Sequence, residues 1–103
     1  MAWHKAASTD ALQDGSVIGV EINGLDIALY KLDGAFYATG NICTHQHAYM
    51  SDGYVDNGCI ECPLHQALFD IRTGAVVDGP TKSPLPVYPT MIEGDAILVE
   101  LPD

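Results

Sequence analysis

Cys43-Thr44-His45 and Cys62-Pro63-Leu64-His65 are the stretches on which the reading of this sequence turns. Sixteen residues separate them, giving the pattern C-x-H-(x16)-C-x2-H. Each short motif brings one thiol and one imidazole, so together they offer four metal ligands. Both sit where loops are expected. Cys43 follows the apolar run Ala35–Ala38 and the turn residues Thr39-Gly40-Asn41. Cys62 follows the run Cys59–Glu61 and precedes Pro63, which has no N–H to give to a strand ladder. Asp52-Gly53 and Asn57-Gly58 offer two turns between the motifs. The chain can therefore leave one ligand loop and return beside it.

Turn signals recur at short intervals. Asn23-Gly24, Asp33-Gly34, Asp52-Gly53, Asn57-Gly58 and Glu93-Gly94-Asp95 separate apolar segments. Asn-Gly and Asp-Gly favour the positive backbone angles of tight hairpins. Strands are expected at Val17–Ile22, Asp26–Leu32, Ala35–Ala38, Cys59–Glu61, Ala67–Ile71, Val87–Ile92 and Ala96–Leu101. No long helical period is present. Ser8-Thr9-Asp10-Ala11-Leu12-Gln13 has the makings of one helical turn with a hydroxyl or carboxylate cap. The expected class is all-β, a small antiparallel sandwich or partly open barrel carrying two ligand loops. Gly79–Pro89 holds four of the six prolines and should form a stiff loop or sheet edge.

A chain of 103 residues, 48% apolar, predicts one domain over residues 1–103. Its apolar stretches are too short to span a membrane, and Met1-Ala2-Trp3-His4-Lys5 does not begin a secretory signal. A cytoplasmic location is the expectation. Three cysteines cannot all pair, which suits a reducing compartment. The net charge of −10, from 14 acidic and 4 basic residues, argues against nucleic-acid binding. It suits solubility, and also steering toward basic partners. Asp52, Asp56, Glu61, Asp70 and Asp78 lie in or just beyond the stretch that holds the two motifs.

Three readings of the ligand set compete. Ordinary core cysteines and surface histidines would fall into this double motif only by coincidence. A structural zinc site takes the same four ligands, but usually with both cysteines at one end and both histidines on a helix. Here each motif mixes the two, and no helix is expected. The third reading is a [2Fe–2S] centre in which two histidines replace two cysteines on one iron.

At this point the sequence resembles the Rieske ferredoxins, electron-carrier components of bacterial aromatic ring-hydroxylating oxygenase systems. The resemblance extends beyond the ligands to Asn41-Ile42-Cys43-Thr44-His45, Met50-Ser51-Asp52-Gly53 and Ile60-Glu61-Cys62-Pro63-Leu64-His65. It continues through Phe69-Asp70-Ile71-Arg72-Thr73-Gly74 and Pro84-Leu85-Pro86-Val87-Tyr88-Pro89. It implies one [2Fe–2S] cluster, with Cys43 and Cys62 on one ferric ion and His45 and His65 on the redox-active iron. The proline loop around Pro80–Pro86 would wall the cluster, and electrons would leave through the imidazole edges. The implied partners are a flavoprotein reductase using NAD(P)H and a terminal oxygenase, met in turn near the His45/His65 tip by a monomer. A small subunit of a nitrite reductase is the alternative within redox chemistry, and a zinc-stabilised binding module the alternative outside it.

High-potential members of the wider family carry an extra disulfide between the cluster loops and hydroxyls that bond to sulfur. The matching positions here are Ala48 and Leu64 for the disulfide, and Ala67 and Phe69 for the hydroxyls. Fewer hydrogen bonds to sulfur predict a low potential, about −150 mV. Catalysis by the chain alone finds no support. Only His4 and His47 remain for a mononuclear iron, and no G-x-G-x-x-G follows a strand. His47 reads as a rim residue and Cys59 as a buried strand thiol, despite its C-x2-C spacing to Cys62. Trp3, Phe36, Phe69 and the tyrosines fit packed strands, while Tyr49 either shields the centre or covers its loop.

Overall fold

The computed structural model describes residues 2–43, 48–64, 66–79 and 81–102. Among these, eleven strands run β1 (Ala2–Ser8), β2 (Val17–Ile22), β3 (Leu25–Leu32), β4 (Ala35–Gly40), β5 (Tyr54–Asp56) and β6 (Cys59–Glu61), then β7 (Leu68–Asp70), β8 (Val76–Asp78), β9 (Val87–Tyr88), β10 (Thr90–Glu93) and β11 (Ala96–Leu101). They form three antiparallel sheets, ordered β2-β3-β4-β9, β1-β11-β10 and β5-β6-β7-β8. The all-β expectation holds. No helix among the described residues is long and apolar enough to cross a membrane.

Strand β3 explains the layering. Its side chains alternate between two separate cores. Ile27 and Leu29 pack with Ile22, Ala38, Ile97, Val99 and Leu101. Ala28, Tyr30 and Leu32 face the other way, with Met50, Ile60, Phe69 and Ile71. The sheet containing β3 is thus the middle layer, covered on one face by the β11 sheet and on the other by the β6 sheet. Burial of each large apolar side chain stabilises the fold by about 1.5–3 kcal/mol. This two-sided burial is why β3 reads as a nearly unbroken apolar run.

Tight turns set the register. Asn23 and Gly24 (φ 52° and 81°), Asp33 and Gly34 (51° and 82°), and Asn57 and Gly58 (51° and 75°) are paired positive-φ residues. They close the β2–β3, β3–β4 and β5–β6 hairpins, whose strand twist such turns match. Asp52-Gly53 behaves differently from expectation. Met50–Asp52 is a 3-10 turn, and Gly53 has φ −92°. A Cβ on Gly53 would meet the Glu61 carbonyl carbon and oxygen, so the glycine serves close approach rather than a hairpin. The other 3-10 turn, Thr9–Ala11, forms without the expected side-chain cap. Its Thr9 N–H donates instead to the Asp95 carbonyl at 2.8 Å.

Three strands carry too little apolar pattern to be expected. Strand β1 mixes lysine, histidine and alanine, and is held by pairing with β11 across a bulge between Lys5 and Ala7. Strands β5 and β8 are three residues each, ending in aspartate. The expected strand Val87–Ile92 is split at Pro89, where the chain passes from β4 as β9's partner to β11 as β10's partner. Trp3 is 41% exposed and Tyr54 65% exposed, so neither packs inward as expected.

The proline segment is fixed at two points. Leu85 N–H donates to the Gly74 carbonyl (2.9 Å), and Gly40 N–H to the Pro86 carbonyl (2.9 Å). Gly74 has φ 76°, and a Cβ there would lie 2.1 Å from the Leu85 oxygen. Gly24 has φ 81° with nothing within 4 Å of its virtual Cβ. Gly24→Ala should therefore cost about 1–2 kcal/mol, the left-handed strain alone. Gly74→Ala should cost at least about 1 kcal/mol more, through the lost Leu85 bond. Denaturant unfolding of both variants checks this, and equal losses would contradict it.

Candidate metal centre

Two segments of equal length, each opened by a cysteine, bring Cys43 and Cys62 together. The first spans residues 43–48 and rises from the isolated bridge between Ile42 and Tyr49. The second spans residues 62–67 and caps the β6–β7 hairpin above the Glu61–Leu68 pair. Each is closed by the same bond. Cys43 N–H donates to the Ala48 carbonyl at 2.8 Å, and Cys62 N–H to the Ala67 carbonyl at 2.7 Å. In both loops a cysteine stands at the first position, and its backbone bonds the alanine five residues on. Gln66, with φ 58°, turns the second loop back. His45, His47 and His65 lie outside the described residues, as do Thr44 and Gln46.

Both loop cysteines are buried, Cys62 completely. Their side chains are within hydrogen-bonding reach of each other. Burial first, and the neighbouring Cys43 thiol second, push the Cys62 thiol up; the Leu64 N–H bonded to the Cys62 sulfur acts in the opposite direction. The Cys62 thiol, buried beside Cys43, resists ionisation, because its negative charge would lack both water and a counter-charge. A cation between them reverses that cost, since metal-bound cysteine is thiolate. The donor set therefore fits a thiophilic metal group, and the Leu64 N–H is a donor already aimed at sulfur.

The floor beneath the loops is apolar: Ala28, Tyr30, Met50, Ile60, Phe69 and Leu85 belong to the same buried cluster as Cys43 and Cys62. Tyr30 spends its hydroxyl on Thr39 Oγ1 at 2.8 Å, away from sulfur chemistry, and burial pushes its phenol well up. Ala67 and Phe69 are fully buried there and bring no hydroxyl. The proline segment stands against the second loop. A Cβ on Gly79 would lie 2.6 Å from Ala67 Cα, and Leu85 reaches the shared core. Pro80 lies outside the described residues. Leu64 and Tyr49, 46% and 41% exposed, lie on or beside the loops at the surface.

Cys59 does not join this site. It alternates with the buried Ile60 and so faces away from the core that holds Cys62. It is half-buried, less covered than expected, and lies opposite both Asp56 and Asp70. Burial first, then the Asp70 and Asp56 charges, push its thiol up. The same face of the sheet carries Glu61 and Asp78, opposite Tyr54 and Leu68. Four carboxylates thus share the outer face of the sheet that supports the second loop. His4 sits far off in β1, opposite Val99. One residue gains weight from the structure. The sequence marks Asn41 as a turn residue beside the motif, whereas its side chain is buried and hydrogen-bonded to Ser51.

Comparison with known proteins matches residues 2–89 to the family model described as Rieske [2Fe-2S] domain. The ferredoxin component of the naphthalene 1,2-dioxygenase/salicylate 5-hydroxylase systems of Ralstonia sp. is 43% identical over 96% of this chain and 95% of its own length. A chain in a solved complex of reduced oxygenase and oxidized ferredoxin in carbazole 1,9a-dioxygenase superposes with a TM-score of 0.89 at 33% identity, covering 94% of this chain and 91% of that one. A putative NADH-dependent nitrite reductase small subunit from Mycobacterium tuberculosis gives a TM-score of 0.83 at 31% identity, covering 95% of this chain and 93% of that one.

Proposed function

The chain belongs to the Rieske [2Fe–2S] domain family, and from that premise we propose that it is the ferredoxin component of a bacterial aromatic ring-hydroxylating oxygenase system. In this reading it accepts one electron from an NAD(P)H-dependent flavoprotein reductase and delivers it to the terminal oxygenase. It is a carrier, with the oxygen chemistry left to its partner. The observation that carries the proposal is the twin closure of the two loops, which sets the Cys43 and Cys62 thiols in contact over an apolar floor. Near-full-length likeness to a naphthalene dioxygenase ferredoxin supports it. The nitrite reductase small subunit is less alike, at 31% identity and a TM-score of 0.83 against 33% and 0.89 for the chain from the carbazole 1,9a-dioxygenase complex. Family membership displaces the zinc module.

The proposed ligands are Cys43 and Cys62 on one iron and His45 and His65 on the other. When bound, the cluster supplies a one-electron couple. The chain's own residues supply the rest. Met50, Ile60, Phe69 and Leu85 keep water from the sulfurs. The Leu64 N–H donates to the Cys62 sulfur. Ala67 and Phe69 withhold the hydroxyls that would favour the reduced state. We place the whole of residues 1–103 in one Rieske domain, working as a monomer in the cytoplasm, where the three unpaired cysteines are at home. Both partners would dock near the His45/His65 tip, beside exposed Leu64. The acidic face of β5–β8 would meet basic surface on them, and no nucleic acid is involved.

The function is tested by reconstitution. Aromatic substrate should turn over only when this protein is added to a flavoprotein reductase and a terminal dioxygenase, and turnover without it would refute the carrier role. Its rate should fall as salt is raised, because steering between exposed charges is screened; a salt-independent rate would remove the acidic face from docking. Cys59→Ser should keep the visible absorption of the native protein, while Cys62→Ser and His45→Ala should abolish it. A voltammetric midpoint should fall near about −150 mV, and a value above zero would contradict the role given to Ala67 and Phe69.

A further inference from the structure

The two loops stand on unequal footings. The second rises from β6 and β7, which pair at Cys59–Asp70, Ile60–Phe69 and Glu61–Leu68. The first rises from the single bridge Ile42–Tyr49. Below that bridge its returning arm bends away into the 3-10 turn Met50–Asp52, so no ladder continues. Cys43 is the next residue along from that bridge.

One side chain spans the gap. Asn41 is 4% exposed. Its Oδ1 accepts the Ser51 N–H at 2.8 Å, and its Nδ2 donates to Ser51 Oγ at 3.1 Å. Its backbone carbonyl accepts the Met50 N–H at 2.7 Å, and its N–H donates to the Asp26 carbonyl at 2.9 Å. The carboxamide therefore supplies the rungs that the missing strand would have supplied. Strand β2 leaves room for it. A Cβ on Gly19 would lie 2.7 Å from Asn41 Nδ2 and 2.9 Å from Ser51 Oγ. A buried amide with both ends bonded to one residue is held in a single rotamer, and it fixes what it is attached to.

We infer that Asn41 is a positioning residue for the metal centre: through Ser51 it fixes the Ile42–Tyr49 bridge against β2 and β3 and so holds the Cys43 sulfur beside Cys62. This rests on the ligand assignment proposed above. Asn41 touches neither the iron nor the thiols in this role. Its effect passes through two residues of backbone to Cys43.

The test uses the protein isolated with its cluster. Chelator-driven bleaching of the visible band, the electron paramagnetic resonance line shape after reduction, and the thermal midpoint are measured for the parent, Asn41→Ala, Ser51→Ala and Val99→Ala. Val99 is fully buried in the far core and serves as a control for lost stability alone. Asn41→Ala should bleach about ten- to a hundredfold faster than the parent, with a broadened signal. Ser51→Ala keeps the bond from its own N–H and should fall between. Val99→Ala should keep the parent's bleaching rate and line shape at a comparable thermal loss. Asn41→Ala bleaching no faster than Val99→Ala would overturn the inference. If Asn41→Ala does not fold, the same comparison of Ser51→Ala with Val99→Ala decides. A parent protein without iron would overturn the ligand assignment itself, and that result is read before any variant is compared.

Discussion

Two cysteine side chains buried in contact, on loops that share no strand, are the constraint around which this molecule is arranged. Burial and the neighbouring Cys43 push the Cys62 thiol up, so it keeps its proton unless a cation favours the thiolate. Everything adjacent favours such a cation. Both cysteines are held by matching backbone bonds, to Ala48 and to Ala67. The Leu64 N–H already points at the Cys62 sulfur. Binding free energy at such a site is also folding free energy, because the unfolded chain does not hold the loops together. For a domain of this size that contribution matters, since the core of a 103-residue chain leaves little margin.

The three-layer arrangement follows from the need to hold those loops steady. Strand β3 is buried on both faces, and it anchors the β11 sheet on one side and the loop-bearing sheet on the other. The proline segment is fixed to Gly40 and Gly74 and pressed on Ala67, so the second loop is supported from outside as well as from beneath. The first loop lacks a ladder and depends on the carboxamide of Asn41. Charge is kept to the periphery. The carboxylates of β5–β8 face outward, while the sulfurs look into an apolar floor.

Much of this was legible in the residues themselves. The Asn-Gly and Asp-Gly pairs at 23, 33 and 57 dictate their hairpins because only such residues tolerate paired positive φ. The apolar runs of β2, β3 and β11 follow from their buried faces, and that of β3 is nearly unbroken because both of its faces are covered. The mixed Cys/His motifs mark both loops, since metal ligands must come in convergent sets. What escaped has an equally physical cause. Strand β1 carries no apolar alternation of its own and exists because β11 offers it an edge. The break at Pro89 depends on two sheets competing for one segment, which no local window contains. Cys59 is half-buried rather than buried, because strand pairing puts it on the face that carries Asp56 and Asp70. Asn41 looks like any turn asparagine until Ser51 and Gly19 are brought beside it.

The measurement that bears most directly on the account is the electron paramagnetic resonance spectrum of anaerobically prepared, dithionite-reduced protein, with iron and zinc assayed on the same sample. The account predicts about two irons per chain and a signal whose average g value lies clearly below that of an all-cysteine cluster, as histidine ligation requires. No such signal, with about one zinc per chain, would contradict it: the two loops would then hold a structural ion, and the protein would carry no electrons.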